Sequence, residues 1–367
     1  MQKVRFVGLD VHKESIAIAV ADGDGSAPEN IAIIPNDTTA LVKRLKKLGL
    51  GATLRCCYEA GPTGYVLHRA LRAAGIDCIV IAPSLVPKTS GDRVKTDRRD
   101  AVKLARFLRS GDLTEVHVPE AATEAMRDLE RSRDDAKKAE RTSRHQLSKF
   151  LLRHGRRYEG KTAWTGMHLD WIRKQVFDHE AHNRVLVDYV QAVENGTARV
   201  DRLTKDIVEL VESWSLRPLV KALQALRGVQ IITAVILAAE IGDFARFASA
   251  PALMAYLGLV PSEHSSGDTK KRGRITRTGN GHVRRILVES AWSYRFRPTM
   301  SWEIRKRNEG VAPAVQAIAW KAQHRLNGRY KRLLGRGKNK QQTMTALARE
   351  LAGFVWSIAR EPKLLAA

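Results

Sequence analysis

The chain has 367 residues, which is enough for two or three domains with separate hydrophobic cores. It holds 63 Lys and Arg against 39 Asp and Glu, so its formal net charge of +24 favours a polyanionic partner, with nucleic acid the first candidate. The apolar run 231–239 is too short to span a bilayer, and the N-terminus has no signal-peptide pattern. We therefore expect a cytoplasmic protein with no membrane partner.

Three cysteines, Cys56, Cys57 and Cys78, fall in strand-like runs and form no Cys-x-x-Cys pair. We expect them to be buried apolar residues, since a disulfide set or a zinc site requires a different spacing. The 11 histidines also lack metal-ligand spacing, so zinc is not expected.

The first hundred residues alternate strand and helix patterns, which predicts an α/β domain. Three closely spaced apolar runs between residues 4 and 34, separated by polar turns, predict strands with an antiparallel start. The next patterns are helix 39–48, strand 53–58, helix 65–74, strand 77–82 and a helix that begins near residue 97. The predicted order is β-β-β-α-β-α-β-α.

Four acidic residues stand at the ends of these elements. Asp10 ends the first strand and Glu59 ends the fourth. Asp97 and Asp100 lie one turn apart near the start of the last helix. Four carboxylates can neutralise two Mg²⁺ ions about 3.5–4 Å apart, the arrangement that serves phosphodiester cleavage. A simpler alternative is that Asp97 caps the helix and that the helix dipole favours Asp100.

The segment between Pro83 and Asp97 is a basic loop that contains Lys88 and Lys95. Such a loop is either a solvated connection or a phosphate-contacting loop beside the acids. Its position immediately before the acid pair keeps both interpretations open.

The middle of the chain contains two long helical patterns, 120–153 and 183–214, in which apolar residues are spaced three or four positions apart. A basic segment with aromatic residues, 156–164, joins them. We interpret this region as an antiparallel helical hairpin or coiled coil. It is either a plain structural arm or a dimerisation arm whose basic tip contacts nucleic acid.

The C-terminal part is predicted to be mainly helical and basic, and it contains a Ser265-Ser266-Gly267 segment before the basic run 270–280. A Ser-Gly pair in a basic loop is usually a turn. A serine becomes a nucleophile only where its hydroxyl is activated and cations stabilise the developing charge. The nearby cations that could contact a nucleic-acid backbone are Lys270, Lys271, Arg272, Arg284 and Arg285.

Four segments together resemble the transposases of the insertion-sequence "one-ten" family: residues 8–13, 59–64, 95–101 and 258–285. The resemblance covers the whole chain. It implies a ribonuclease-H-like (RuvC-like) domain over 1–117, a central helical coiled-coil arm over 118–215, and a mainly helical C-terminal transposase domain over 216–367.

The resemblance also assigns the site residues. Asp10, Glu59, Asp97 and Asp100 match the acids that bind Mg²⁺, with two ions per site. Ser266, directly before the glycine, matches the nucleophile, and Ser265 is the alternative. The implied intermediate is a 5′-phosphoserine link to DNA.

The implied partners are double-stranded donor and target DNA, at the bacterial nucleoid, and a structured non-coding bridge RNA that pairs with both DNAs. A homodimer or tetramer would form composite active sites from the two catalytic domains. We therefore predict an insertion-sequence transposase that exchanges DNA strands by phosphoryl transfer. One alternative is a metal-dependent RuvC-like nuclease or junction resolvase that uses water as the nucleophile. Another is a nucleic-acid-binding protein without catalytic activity.

Overall fold

The structure is a computed structural model that describes residues 3–61, 63–87, 96–266 and 269–361. Within these ranges, the side chains of residues 264–266 and 269–272 are not described. The chain divides into two compact units, Met1–Val118 and Pro119–Ala367.

The first unit is built on a five-stranded mixed sheet. Its strands are β1 (Lys3–Val11), β2 (Ser15–Asp22), β3 (Glu29–Pro35), β4 (Ala52–Glu59) and β5 (Asp77–Ile81). They lie in the order β3-β2-β1-β4-β5. The β1–β2 and β2–β3 pairs are antiparallel, whereas β1–β4 and β4–β5 are parallel. The predicted antiparallel start is confirmed.

Helices cover both faces of this sheet. They are α1 (Thr38–Leu48), α2 (Val66–Ala73) and α3 (Asp97–Ser110), so the predicted order of elements is confirmed. Alternate residues of β2 face opposite sides. Ile16 and Ile18 share a core with leucines of α1 and α2. Ala17 and Ala19 pack with Ala101 of α3, and these small side chains let α3 lie close to the sheet.

The three cysteines lie in β4 and β5 as buried free thiols, which confirms the sequence prediction. Burial raises the pKa of Cys78 to about 12. This thiol therefore stays protonated at neutral pH and acts as a small apolar residue in the core.

The second unit begins with an antiparallel helical hairpin, as predicted. Its helices are α4 (Ala121–Arg153), the short α5 (Gly166–Arg173) and α6 (Glu180–Val211). Arg133 Nε donates to Thr204 Oγ1 (2.6 Å), and Thr197 Oγ1 donates to Glu140 Oε1 (2.9 Å). Residues later in α4 therefore contact residues earlier in α6, so the two helices run antiparallel. Helix α5, in the connection, was not predicted.

The rest of the second unit is mainly helical with one β-hairpin. Its elements are α7 (Arg217–Leu223), α8 (Ile231–Ile241), α9 (Ala250–Tyr256), β6 (Pro261–Ser266), β7 (Thr269–Ile275), α10 (Gly281–Ala291), α11 (Trp302–Asn308), α12 (Pro313–Gly335) and α13 (Lys340–Ala359). The basic run predicted as a loop thus forms strand β7. No helix in the described ranges combines the length and apolar content that a membrane span needs.

The root of the helical hairpin is part of the C-terminal core. Met126 of α4 and Ile207 and Val211 of α6 belong to the same buried cluster as α8 and α13. Arg127 also donates two hydrogen bonds to the carbonyl oxygen of Ala239 (3.0 and 2.8 Å). These contacts explain why the predicted arm and the C-terminal region form one compact unit.

Candidate metal centre and nucleic-acid interface

Neighbouring parallel strands bring two of the predicted acids to one edge of the sheet. Leu9 of β1 pairs in register with Tyr58 of β4, so the next residues, Asp10 and Glu59, lie at the same end of the sheet, within the last two residues of their strands. Both residues are partly buried. The strand-end rule used on the sequence therefore placed these two acids correctly.

A glycine allows α3 to carry the other two acids to this edge. A Cβ atom on Gly8 would overlap the carbonyl oxygen of Ala101 and the amide nitrogen of Ala105. The backbone of α3 therefore lies directly on β1, two residues before Asp10. The start of α3, with Asp97 and Asp100 in its first turn, lies close to the end of β1.

A histidine that the sequence analysis did not select joins two of the acids. His12 Nε2 lies 3.1 Å from Asp10 Oδ2 and 3.5 Å from Asp97 Oδ1. Ligand atoms of Asp10, His12 and Asp97 all lie within 4.8 Å of one another. The sequence feature that could have indicated His12 is its position two residues after Asp10, directly after strand β1.

The electrostatics of this group favour a bound cation. Burial raises the pKa of Asp10, His12 opposes that shift, and the charges of Asp100 and Asp97 add to it. Carboxylate oxygens are the ligands that hard divalent cations prefer, and a cation relieves repulsion among crowded carboxylates. The donor set of Asp10, Asp97 and Asp100, with Glu59 at the same sheet edge, therefore fits a divalent metal.

The capping alternative is wrong for Asp97. Thr96 is the N-cap of α3, and its Oγ1 accepts a hydrogen bond from Arg99 N (3.4 Å). Asp97 is the first helical residue, and its side chain is 50% exposed. Its carboxylate is therefore not required to cap the helix.

Several predicted site residues lie outside what the structure describes. Lys88 and Lys95 fall outside the described ranges, as do the side chains of Ser265, Ser266, Lys270, Lys271 and Arg272. The backbone places Ser266 at the end of β6, opposite Thr269. Ser265 stands opposite Lys270, so the two candidate serines lie at the tip of a basic hairpin.

Arg284 and Arg285, predicted to contact nucleic acid, both have partners within the protein. The Arg284 guanidinium donates to the carbonyl oxygens of Leu257 (2.7 Å) and Thr278 (2.9 Å). Arg285 donates to Asp134 Oδ1 (2.7 Å). These bonds hold α10 against its neighbours.

A second acidic group in the second unit was also missed. His282 Nε2 lies 3.0 Å from Glu130 Oε2, and Arg131 donates to both oxygens of Glu240 (2.6 and 3.0 Å). Asn280 donates to Glu240 as well. These contacts join α4, α8 and α10, and ligand atoms of Glu130, Glu240 and His282 lie within 4.8 Å of one another. Both oxygens of Glu240 accept hydrogen bonds, whereas the buried Glu130 Oε1 has no hydrogen-bond partner among the described residues.

Burial and pairing separate the proton affinities in this network. Burial raises the pKa of Glu130. Burial also acts to raise the pKa of Glu240, but Arg131 and Asn280 outweigh it and the pKa is lowered. The hydrogen bond to Glu130 raises the pKa of His282. The network therefore favours an ionised Glu240 and a protonated His282.

Comparison with known proteins identifies the family. A model described as "Transposase IS116/IS110/IS902 family" matches residues 220–306, and a DEDD transposase model of IS110 matches residues 7–155. The chain belongs to this transposase family. The DEDD match contains all four predicted acids and indicates dependence on a divalent metal, whereas the C-terminal match contains Ser266.

Two relatives extend over nearly the whole chain. The IS110-family chain is 48% identical over 360 residues to y4qE of Sinorhizobium fredii, whose name describes a transposase; the alignment covers 98% of this chain and 89% of the relative. It is 34% identical over 337 residues to the transposase for insertion sequence element IS1533 of Leptospira borgpetersenii, covering 91% and 97% of the two chains.

Proposed function

We propose that this IS110-family transposase cuts and rejoins DNA by phosphoryl transfer at a centre formed by Asp10, Glu59, Asp97 and Asp100. The observation that carries the proposal is the approach of Asp10, His12 and Asp97 to within 4.8 Å of one another, inside the segment that matches a DEDD transposase. The charge of +24 supports a polyanionic substrate.

The acids would hold Mg²⁺, two ions per site, in the first unit. When bound, such ions polarise the phosphate and stabilise the leaving oxygen. The sheet fixes Asp10, and α3 fixes Asp97 and Asp100, so the carboxylates are held on rigid elements before the substrate arrives. His12 would orient the Asp10 carboxylate through its Nε2 hydrogen bond.

Ser266 is the proposed nucleophile. The Ser266 hydroxyl would lose its proton and its oxygen would form a bond to phosphorus while the bond from phosphorus to O3′ breaks. The released O3′ takes up one proton, so the step consumes and releases no net proton. The product is a 5′-phosphoserine, and attack by the 3′-hydroxyl of the partner strand would reverse the step. Support comes from the position of Ser266 at a hairpin tip, opposite a strand that contains two lysines and two arginines.

Water is the competing nucleophile. The complete acid set fits a RuvC-like nuclease or resolvase, since two metal ions held by carboxylates can activate a water molecule without a serine. In that case Ser266 would be a hairpin residue without a chemical role.

We also propose a structured bridge RNA and a dimer or tetramer as the working assembly in the cytoplasm. A charge of +24 leaves positive surface for an RNA in addition to DNA. Base pairing by an RNA would supply sequence choice while the protein contacts mainly the backbone.

A denaturation-resistant protein–DNA adduct tests the serine step. The protein would be incubated with donor and target DNA, Mg²⁺ and the transcript that flanks its gene, then compared with Ser266→Ala and Ser265→Ala. Loss of the adduct only in Ser266→Ala supports serine attack. Cleaved DNA with no adduct in the unmodified protein would instead favour water.

A further inference from the structure

An open cleft of about 920 Å³ lies in the second unit beside the base of the β6–β7 hairpin. The hairpin contributes Pro261, Arg274 and Ile275 to one wall. The end of α12 and the first turns of α13 form the other wall. The cleft is therefore built from three parts of one compact unit.

Four cationic side chains line this cleft: Arg274, Arg277, Lys338 and Arg349. Among the described residues that line it, none is acidic. None of the four cations has an ion-pair partner within the described ranges. Four unneutralised cations around one cavity favour an anionic ligand.

Helix α13 shows why Arg349 remains available. The neighbouring Glu350 binds Arg325 (2.9 Å) and Arg329 (3.2 Å) of α12. Its charge is therefore neutralised by α12, and neither Glu350 nor these two arginines lines the cleft. Arg349, one residue earlier on the helix, lines the cleft instead.

The other lining residues fit a sugar-phosphate backbone better than stacked bases. Gln341, Gln342 and Thr345 supply neutral polar groups, and the apolar part consists of aliphatic residues such as Leu259 and Leu333. No aromatic side chain is among the described lining residues, so base stacking is not favoured. Phosphate and sugar contacts need only cations, polar groups and a smooth apolar surface.

We propose that this cleft binds the backbone of the DNA strand that runs along the β6–β7 hairpin toward Ser266. The proposal rests on the proposed function, because it takes Ser266 as the point of cleavage. Pro261 pairs with Ile275 at the base of the hairpin and Ser266 with Thr269 at its tip. Five residues of strand span roughly 17 Å, which equals about five nucleotides at roughly 3.4 Å per nucleotide. The cleft would therefore hold the backbone about five nucleotides from the cleaved bond.

The test removes two cleft charges and measures binding separately from cleavage. The variant is Arg274→Gln with Arg349→Gln. Its matched control is Arg202→Gln with Lys205→Gln, which removes two exposed charges from α6. The probe is a fluorescein-labelled DNA duplex of mixed sequence, titrated without divalent ions over a series of salt concentrations, with thermal melting as a check of folding.

The salt slope is the slope of the logarithm of the binding constant against the logarithm of salt concentration, and each lost phosphate contact lowers its magnitude by about 0.9. The cleft variant should therefore have a slope smaller by about 1.8 than that of the unmodified protein. The control should keep the original slope. Lys338→Gln, a single exposed substitution, should lose about half as much and serves if the double variant is unstable. Equal slopes in the cleft variants and the control would overturn the proposal.

An RNA arm distinguishes the two nucleic acids. A labelled single-stranded RNA should keep its salt slope in the same variants, because a cleft that bound RNA equally well would lower that slope by about 1.4. A loss with RNA alone would also overturn the assignment to DNA. Failure of the proposed function can be distinguished from failure of the cleft proposal, because the salt slopes measure DNA binding even if the protein does not cleave DNA. Conversely, normal cleavage with unchanged slopes rejects only the cleft.

Discussion

Gly8→Ala should inactivate the metal centre without touching any of its ligands. The added Cβ would lie 2.9 Å from Leu104 Cβ and would also overlap the backbone of Ala101 and Ala105. Because carbon atoms in normal contact lie about 3.5–4.0 Å apart, α3 must move away from β1 by about 1 Å. That movement shifts Asp97 and Asp100 relative to Asp10.

The size of the effect follows from this displacement. Overpacking of this kind costs about 1–3 kcal/mol of unfolding free energy. A misplacement of about 1 Å in a catalytic group can cost about 100-fold in rate. We therefore expect a strong loss of DNA cleavage in a protein that still folds, with its DNA binding retained.

The assay compares Gly8→Ala with Gly25→Ala in the same unit. Gly25 has a φ of 89° and open space around it, so alanine there introduces backbone strain but no clash. Cleavage rate and urea unfolding would be measured for both. Gly25→Ala should lose about 1 kcal/mol of stability and keep its activity. Full activity in Gly8→Ala would refute the close approach of α3 to β1 as the device that assembles the site.

Three further predictions concern named side chains. Asp100→Asn should lower cleavage by at least about 100-fold, because losing a metal ligand costs more than losing an outer hydrogen-bond partner, which costs about 10- to 100-fold. Fluorescence anisotropy should show unchanged or tighter DNA binding, and weakened binding would contradict the ligand role. His12→Gln should slow cleavage about fivefold, the worth of one hydrogen bond of about 1 kcal/mol, and an unchanged rate would show that His12 does not orient Asp10. The raised pKa of His282 contributes stability that is complete below its ordinary value of 6.5 and is lost as pH rises through the higher folded value. Urea unfolding above pH 6.5 should therefore show a pH slope that His282→Gln reduces, and equal slopes in the two proteins would reject this linkage.

Local sequence patterns predicted the first unit well, because its strands are apolar runs that end in polar residues. The alternation of isoleucine and alanine in β2 reflects two different faces, one covered by α1 and α2 and one by α3. Asp97 and Asp100 were placed at a helix start because the apolar spacing after them is regular. The division into three domains and the catalytic roles of the acids remain predictions.

The features that the sequence analysis missed depend on contacts that no local pattern encodes. His12 approaches Asp97 only because α3 lies on β1 at Gly8. Glu130, Glu240 and His282 come together from three helices, and Glu130 and His282 are 152 residues apart in the sequence. Strand β7 is mostly basic, so it lacks the apolar alternation by which strands are recognised.

The most direct test of the metal centre is DNA cleavage as a function of Mg²⁺ in the unmodified protein, in Asp97→Asn and in Asp201→Asn, an exposed acid of α6 that serves as the charge-matched control. The DNA and flanking transcript would be supplied as in the adduct experiment. We expect cleavage to require Mg²⁺, to continue in Asp201→Asn, and to be lost in Asp97→Asn at every Mg²⁺ concentration or to need far more of the ion. Cleavage by Asp97→Asn with the Mg²⁺ dependence of the unmodified protein would contradict the assignment of the metal site to these acids.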